Sequence, residues 1–311
     1  MKYLIAILAV IILVGGTIYY LTNNNRSDYQ ADQNDQDKND QNIDEQNGDM
    51  SDETKEPTDD TDKERPAKEV IGKSASGKDI IAYHYGNGEK ELLFVGGIHG
   101  GYSWNTALLA YELDKYVADI SNLPENITVT IIPNLNQDGL SLATGKDGIF
   151  TASDISAKTD VLTTARFNSN NVDLNRNFAC EWKESAVWQN KTVSGGSAAF
   201  SESEAVAMKN YIETNKPTAV VVWFSAEGKV YPSACGGEPS QESVALAKAY
   251  ATASGYPREA EFDAYAITGD MVNWIAKQGI PAISVLLTDH KNTEWSRNKA
   301  GFEAVLNMYS K

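Results

Sequence analysis

Four short apolar runs constrain this chain most. They are Leu92–Val95, Ile127–Ile132, Thr218–Phe224 and Pro281–Leu287. Each is too short for a buried helix and rich in β-branched or aromatic residues, which reads as a strand covered on both faces. Segments with helical spacing lie between them. One carries Leu108, Leu109, Leu113 and Val117; a second carries Ala205, Met208 and Ile212, behind a Ser201/Glu204 capping-box pattern. Glu242–Ala251, Asp270–Lys277 and an amphipathic Trp295–Tyr309 complete the helices. Val70–Lys73 and Asp79–Tyr85 read as strands paired around a Ser76-Gly77 turn, and residues 134–198 read as loop-rich. Strands alternating with helices predict an α/β domain, a central mixed β-sheet flanked by helices. In such sheets sites collect where strands end. His99, Ser225 and Thr288 each follow a predicted strand.

The N-terminal part is of another kind. Tyr3–Leu21 is an apolar run without a charge, preceded by Lys2 and ending near Tyr19 and Tyr20. Its length suits a single membrane-spanning helix, and Lys2 orients the rest of the chain outside; a cleaved signal peptide is the rival. Residues 22–68 hold 15 acidic and 6 basic residues and almost nothing apolar. Such a segment cannot offset its chain entropy and reads as a disordered acidic stalk, with a reach of about 35–40 Å. The expected organisation is therefore an anchor over 1–21, a stalk over 22–68 and a domain over 69–311. The formal charge of −16 excludes nucleic acid as a partner, since phosphate binding needs a basic face. Cys180 and Cys235 are the only cysteines. Outside a membrane they either pair or stay as buried thiols.

The polar motif with most chemistry is Asn171-Val172-Asp173-Leu174-Asn175-Arg176-Asn177-Phe178, with Arg166 just before it. A guanidinium offers a planar fork of donors that matches a carboxylate. Read alone, the stretch is equally a surface loop with solvated arginines. Taken with Gly96-Gly97-Ile98-His99-Gly100, Pro133–Gly139, Ser194–Glu204 and Tyr265 through Trp274 to Pro281, it resembles the zinc carboxypeptidase A-like metallopeptidases, from about Val70 to His290. The resemblance implies the carboxypeptidase fold and a zinc cofactor. It also implies a site that grips a peptide C-terminal carboxylate through Asn175 and Arg176, with Arg166 at the oxyanion position. Tyr265 takes the place of a mobile tyrosine that closes over the carboxylate, and Val272 the place that sets side-chain preference.

The same resemblance marks what is missing. His99 matches one zinc ligand. Tyr102 or Ser103 stands where a Glu ligand is expected, Phe224 replaces the second His, and Leu286 replaces the catalytic Glu. Ser103 also suits a helix N-cap. A phenyl ring cannot ligate a metal, and leucine cannot accept a proton. The expectation is a membrane-anchored, extracytoplasmic and inactive relative that binds peptide or cell-wall peptide C-termini. The alternative is an active carboxypeptidase with a rebuilt zinc site drawing on Glu227, Asp289 or His290.

Overall fold

The computed structural model describes residues 65–120 and 123–311. The anchor expected over 1–21, and the stalk up to residue 64, lie outside the described residues. Among the described residues no helix is long and apolar enough to cross a membrane.

Among the described residues nine strands form in chain order: β1 Lys68–Lys73, β2 Asp79–Tyr85, β3 Lys90–Val95, β4 Ile127–Ile132, β5 Ser185–Trp188, β6 Lys191–Ser194, β7 Ala219–Ser225, β8 Lys229–Pro232 and β9 Ala282–Leu287. Seven of them make one mixed sheet in the order β1-β2-β4-β3-β7-β9-β8. The inner four, β4-β3-β7-β9, are parallel, while β1, β2 and β8 add antiparallel edges. The helices are α1 Trp104–Ala118, α2 Gln137–Thr144, α3 Thr159–Thr164, α4 Ser203–Asn215, α5 Gln241–Ser254, α6 Met271–Lys277 and α7 Trp295–Tyr309.

Side chains alternate across a strand, so each inner strand feeds two cores. Leu93, Val95, Val220 and Val222 pack with Met208 and Ile212 of α4 and Ile275 of α6. Leu92, Phe94, Val221 and Trp223 face the other way, onto Leu109 of α1, Leu246 of α5 and Phe302 of α7. This two-sided burial is what the unbroken apolar runs require.

Three details depart from the sequence reading. The loop-rich stretch 134–198 contains α2, α3 and a separate two-stranded hairpin, β5-β6. The Ser201/Glu204 capping box does not form. Glu202 is the N-cap of α4, its backbone N–H is held by Asn177 Oδ1 at 3.0 Å, and Glu204 instead accepts from the Ala75 N–H at 3.0 Å. The long-range partners win because both carboxylates are drawn into buried contacts with other loops. Finally, β1 begins at Lys68, and Arg65 is held by Glu91 at 3.1 Å and Asn215 at 2.7 Å, so these residues of the expected stalk belong to the folded domain.

Cys180 and Cys235 form a disulfide, with Cα atoms 5.6 Å apart. Among the described residues no free cysteine remains.

A buried polar group sits near the start of the domain. His84 of β2 has Nδ1 at 3.0 Å from Thr130 Oγ1 and Nε2 at 3.3 Å from the Glu69 carboxylate. Burial, followed by the Arg65 guanidinium, lowers its pKa against the opposing pull of Glu91 and Glu69. A native pKa below the unfolded value of about 6.5 favours the neutral ring, so this stabilisation is present above that pH and is lost as pH falls through the native pKa. Urea unfolding at about pH 8 and about pH 5 should therefore show a smaller acid-induced loss of stability in His84→Gln than in the parent. An equal loss in both would remove His84 as a source of the pH dependence.

Candidate active-site cleft

The four parallel strands end on the same edge of the sheet, and the segments leaving them build the site. After β3 the chain turns through Gly96 and Gly97. Gly97 has a φ of +67°, and a Cβ there would run into Asn134. That turn delivers His99 into a buried position, 6% exposed. Asn105 of α1 then ties neighbouring strand ends together. It accepts from Ser225 Oγ at 2.9 Å and donates to the carbonyl of Asp289 at 2.7 Å.

Asp173 organises the motif. Its Oδ2 accepts from Nε and Nη2 of Arg166, each at 2.9 Å, and its Oδ1 caps the Leu174–Arg176 turn by accepting from the Asn175 N–H at 3.1 Å. Both Asp173 and Arg166 are buried. Burial alone would raise the Asp173 pKa, but Arg166 and Arg176 outweigh it and hold the carboxyl below its usual range. Trp188 of the β5-β6 hairpin lies over the Arg166 guanidinium, 4.3 Å from ring centroid to Cζ. The Arg166 charge is thus paired from one side and covered from another.

Asn175 is bonded inward. Its Nδ2 donates to Asp270 Oδ2 at 2.7 Å and its Oδ1 accepts from the Met271 N–H at 3.1 Å, which fixes the motif to the start of α6. Arg176 is only 1% exposed, yet it lines the cleft. Its Nη1 donates to the Asn175 carbonyl at 2.6 Å and its Nε to the Val187 carbonyl at 3.1 Å. Among the described residues Nη2 has no acceptor, which leaves one donor edge of the guanidinium unpaired. The Tyr265 ring, half-buried, sits 5.9 Å from the Arg176 Cζ. Val272 is wholly buried in the core beside Met271 and Ile275, and the α6 residue that lines the cleft is Asn273.

The residues that stand where the resemblance expects metal ligands and a base are Tyr102, Ser103, Phe224 and Leu286. The Phe224 ring lies 5.7 Å from the His99 ring. Tyr102 packs edge-on against Trp188 at 4.9 Å and against His290 at 4.6 Å. Ser103 occupies the N-cap of α1 but makes no capping bond. Its Oγ lies 3.5 Å from His290 Nδ1 instead. Leu286 lines the cleft from β9. Burial, reinforced by Arg166, holds the His99 pKa well below the usual imidazole value, so the ring is neutral, and both of its nitrogens are buried without a hydrogen-bond partner.

A zinc ion needs three or more donors converging on one point. Around His99 the nearest carboxylate is Asp173, 3.8 Å away, with its oxygens already committed to Arg166 and the turn. Glu227 pairs with Lys229 at 3.2 Å, and Asp289 accepts from the N–H groups of Lys291 and Asn292 in its own turn. Among the described residues no three His, Cys, Asp or Glu side chains are placed to hold a metal ion. The donor set at His99 does not fit zinc.

The cleft these residues enclose has a volume of about 930 Å³. Known proteins share both its sequence frame and its fold. The sequence model of the zinc carboxypeptidase family matches residues 56–304. This chain belongs to the zinc carboxypeptidase family. Among solved structures, murein-tripeptide amidase MpaA from Escherichia coli O157 superposes with a TM-score of 0.55 at 21% identity, over 78% of this chain and 92% of that one. Carboxypeptidase A from Helicoverpa armigera superposes with a TM-score of 0.61 at 18% identity, over 78% of this chain and 69% of that one. Both likenesses concern the fold. Gamma-D-glutamyl-L-diamino acid endopeptidase 1 of Lysinibacillus sphaericus is 23% identical over 219 residues, covering 63% of this chain and 54% of that protein. The chain thus spans about half the length of that relative. It spans 17% of rat carboxypeptidase Z, which is 28% identical over 123 residues.

Two contributors to the cleft escaped the sequence reading of this carboxypeptidase-family chain. Trp188 sits on a hairpin whose signal is the alternating Ala186-Val187-Trp188 before a two-residue Gln189-Asn190 turn. Asp173 lies inside the quoted motif, where an Asp ahead of a short turn is itself a capping signal. Replacing Asp173 with Ala strands the buried Arg166 charge. Unfolding free energy should fall by about 3–5 kcal/mol in denaturant titrations. A change below about 1 kcal/mol would mean that the pair does not hold the motif.

Proposed function

We propose that this zinc carboxypeptidase-family domain binds the C-terminal carboxylate of a peptide and does not hydrolyse it. The observation that carries this reading is the contrast within one cleft. Arg176 keeps an unpaired donor edge at the floor, while Phe224 and Leu286 stand where a metal ligand and a base are needed. Holding a carboxylate takes only a guanidinium in a partly desolvated site. Cleaving a peptide bond with zinc takes a metal with an open position and a base.

In this reading Arg176 is the anion contact, and Tyr265 flanks it. Asn175 acts by positioning, since its amide is spent on Asp270 and the Met271 N–H. Arg166, at the oxyanion position, is neutralised by Asp173 and adds little net charge for a ligand. His99 offers a neutral ring whose free nitrogens suit a hydrogen bond to the bound peptide. The names of two relatives, a murein-tripeptide amidase and a gamma-D-glutamyl-L-diamino acid endopeptidase, support cell-wall peptide stems as ligands. The apolar run Tyr3–Leu21 and the disulfide support a membrane-anchored domain outside the cytoplasm.

The test is calorimetric titration of the full-length chain with a short peptide and its C-terminal amide. The free acid should bind more tightly, and Arg176→Gln should weaken the acid by about ten-fold or more without changing the amide. Added zinc should release no terminal residue. Equal affinity for acid and amide would sink the carboxylate reading, and zinc-dependent release abolished by His99→Ala would sink the inactive one.

A further inference from the structure

A second buried polar network lies at the end of the sheet opposite the cleft. Strand β2 is antiparallel to β4, and β1 to β2, so β1 starts at that far end. His84 of β2, Glu91 of β3, Thr130 of β4 and Tyr211 of α4 are all buried there. Glu91 Oε1 accepts from the Tyr211 hydroxyl, from Thr130 Oγ1 at 2.6 Å and from Arg65 Nη1 at 3.1 Å. Arg65 Nη2 also donates to Asn215 Oδ1 at 2.7 Å. Two residues on, the Ala67 carbonyl accepts from the His84 N–H at 2.9 Å. Glu91 and His84 thus hold the chain where it enters the outermost strand.

Counting protons fixes the state of the His84 ring. A hydroxyl has one proton to give, and Thr130 gives it to Glu91. At the 3.0 Å contact with His84 Nδ1, Thr130 is therefore the acceptor and the ring nitrogen the donor. Burial and the Glu91 charge push the Tyr211 hydroxyl up, so it too stays a donor. A neutral imidazole carries a single N–H. Its Nε2 is then a lone pair, buried without a hydrogen bond, 3.3 Å from the Glu69 carboxylate. Two acceptors face each other, and a proton on Nε2 turns that opposition into an ion pair. Burial keeps the proton off, followed by the Arg65 charge, while Glu91 and Glu69 pull the other way. Tyr211 stacks on the ring, with centroids 6.3 Å apart, and adds no charge.

We propose that this network is an acid-operated latch: Arg65 is held on Glu91 while the His84 ring is neutral, and Arg65 leaves when the ring takes a proton and pairs with Glu69. A charged ring and Arg65 compete for one carboxylate, since His84 reaches Glu91 through the Thr130 hydroxyl. The His84 side chain is 2% exposed and that of Arg65 31%, so Arg65 is the cation that returns to water at the lower cost. Strand β1 stays in the sheet, because its ladder to β2 is untouched and Glu69 gains a partner. Residues 65–67 are what come free. The entry of the chain into the domain is held near neutral pH and slackens as pH falls through the native His84 midpoint. This latch is remote from the cleft and independent of what the cleft binds.

NMR of the isotope-labelled full-length chain reads both halves of the latch. The chain has three histidines, so the His84 ring signal is assigned by its loss in His84→Gln. The Ala67 amide should be as rigid as the amides of β7 near neutral pH and mobile below the His84 midpoint. Arg65→Gln, at a partly exposed position, should raise that midpoint by about one pH unit, which is about ten-fold in proton affinity, and leave Ala67 mobile throughout. Glu69→Gln should lower the midpoint, and His84→Gln should keep Ala67 rigid at every pH. An Ala67 amide that stays rigid while His84 titrates overturns the latch. So does an unmoved midpoint in Arg65→Gln, an equal loss of Ala67 order in His84→Gln, or a ring that stays neutral down to acid unfolding.

Discussion

Everything in the cleft depends on the carboxylate of Asp173. One oxygen neutralises Arg166, and the other caps the turn that presents Asn175 and Arg176. Its backbone N–H is bonded to the Ser194 carbonyl, so the same residue ties the motif to the β5-β6 hairpin. Two guanidinium groups buried side by side would repel each other strongly in a medium of low dielectric constant. Asp173 cancels the charge of one of them. The remaining charge, Arg176, is then held by carbonyl dipoles and has a donor edge to spare.

The fold and the chemistry of this chain answer to different residues. The fold is set by alternating side chains on β3 and β7, which feed two cores on opposite faces of the sheet. The side chains of Leu92–Val95 and Val220–Trp223 do not line the cleft. Phe224 stands at the boundary. It ends the buried run of β7 and also packs against the His99 ring, so one side chain belongs both to the core and to the cleft. An apolar core can be kept to native density while the site above it changes class.

The apolar runs and the helical spacing were sufficient to place the inner strands, their order of appearance and most of the helices. They speak directly, because burial on both faces leaves a continuous hydrophobic signal. Residues 134–198 spoke less clearly. There the elements are short and held by long-range polar contacts, such as Asn177 to the start of α4 and Asp138 to Ser74 and Ser169. Local propensity does not register partners that lie far away in sequence. The same limit explains the cleft. The motif identified Arg166, Asn175 and Arg176 as a group, but which of them keeps a free donor depends on Asp173, Asp270 and Val187, and on the fold that brings these together. Val272 and Ser103 show it again. Each stands next to the cleft in sequence terms, while its side chain turns into the core or toward His290.

The disulfide has a topological effect as well as a local one. Cys180 and Cys235 are separated by 55 residues, and the ring they close contains the hairpin, α4, the central strand β7 and the edge strand β8. A protease that cuts an exposed bend within that ring, near Glu181 or Lys183, opens a closed loop rather than dividing the chain. The two pieces stay joined through sulfur, with β7 still held between β3 and β9. This side of the cleft can therefore be nicked without being shed, and a cut made there becomes visible as two fragments only after reduction.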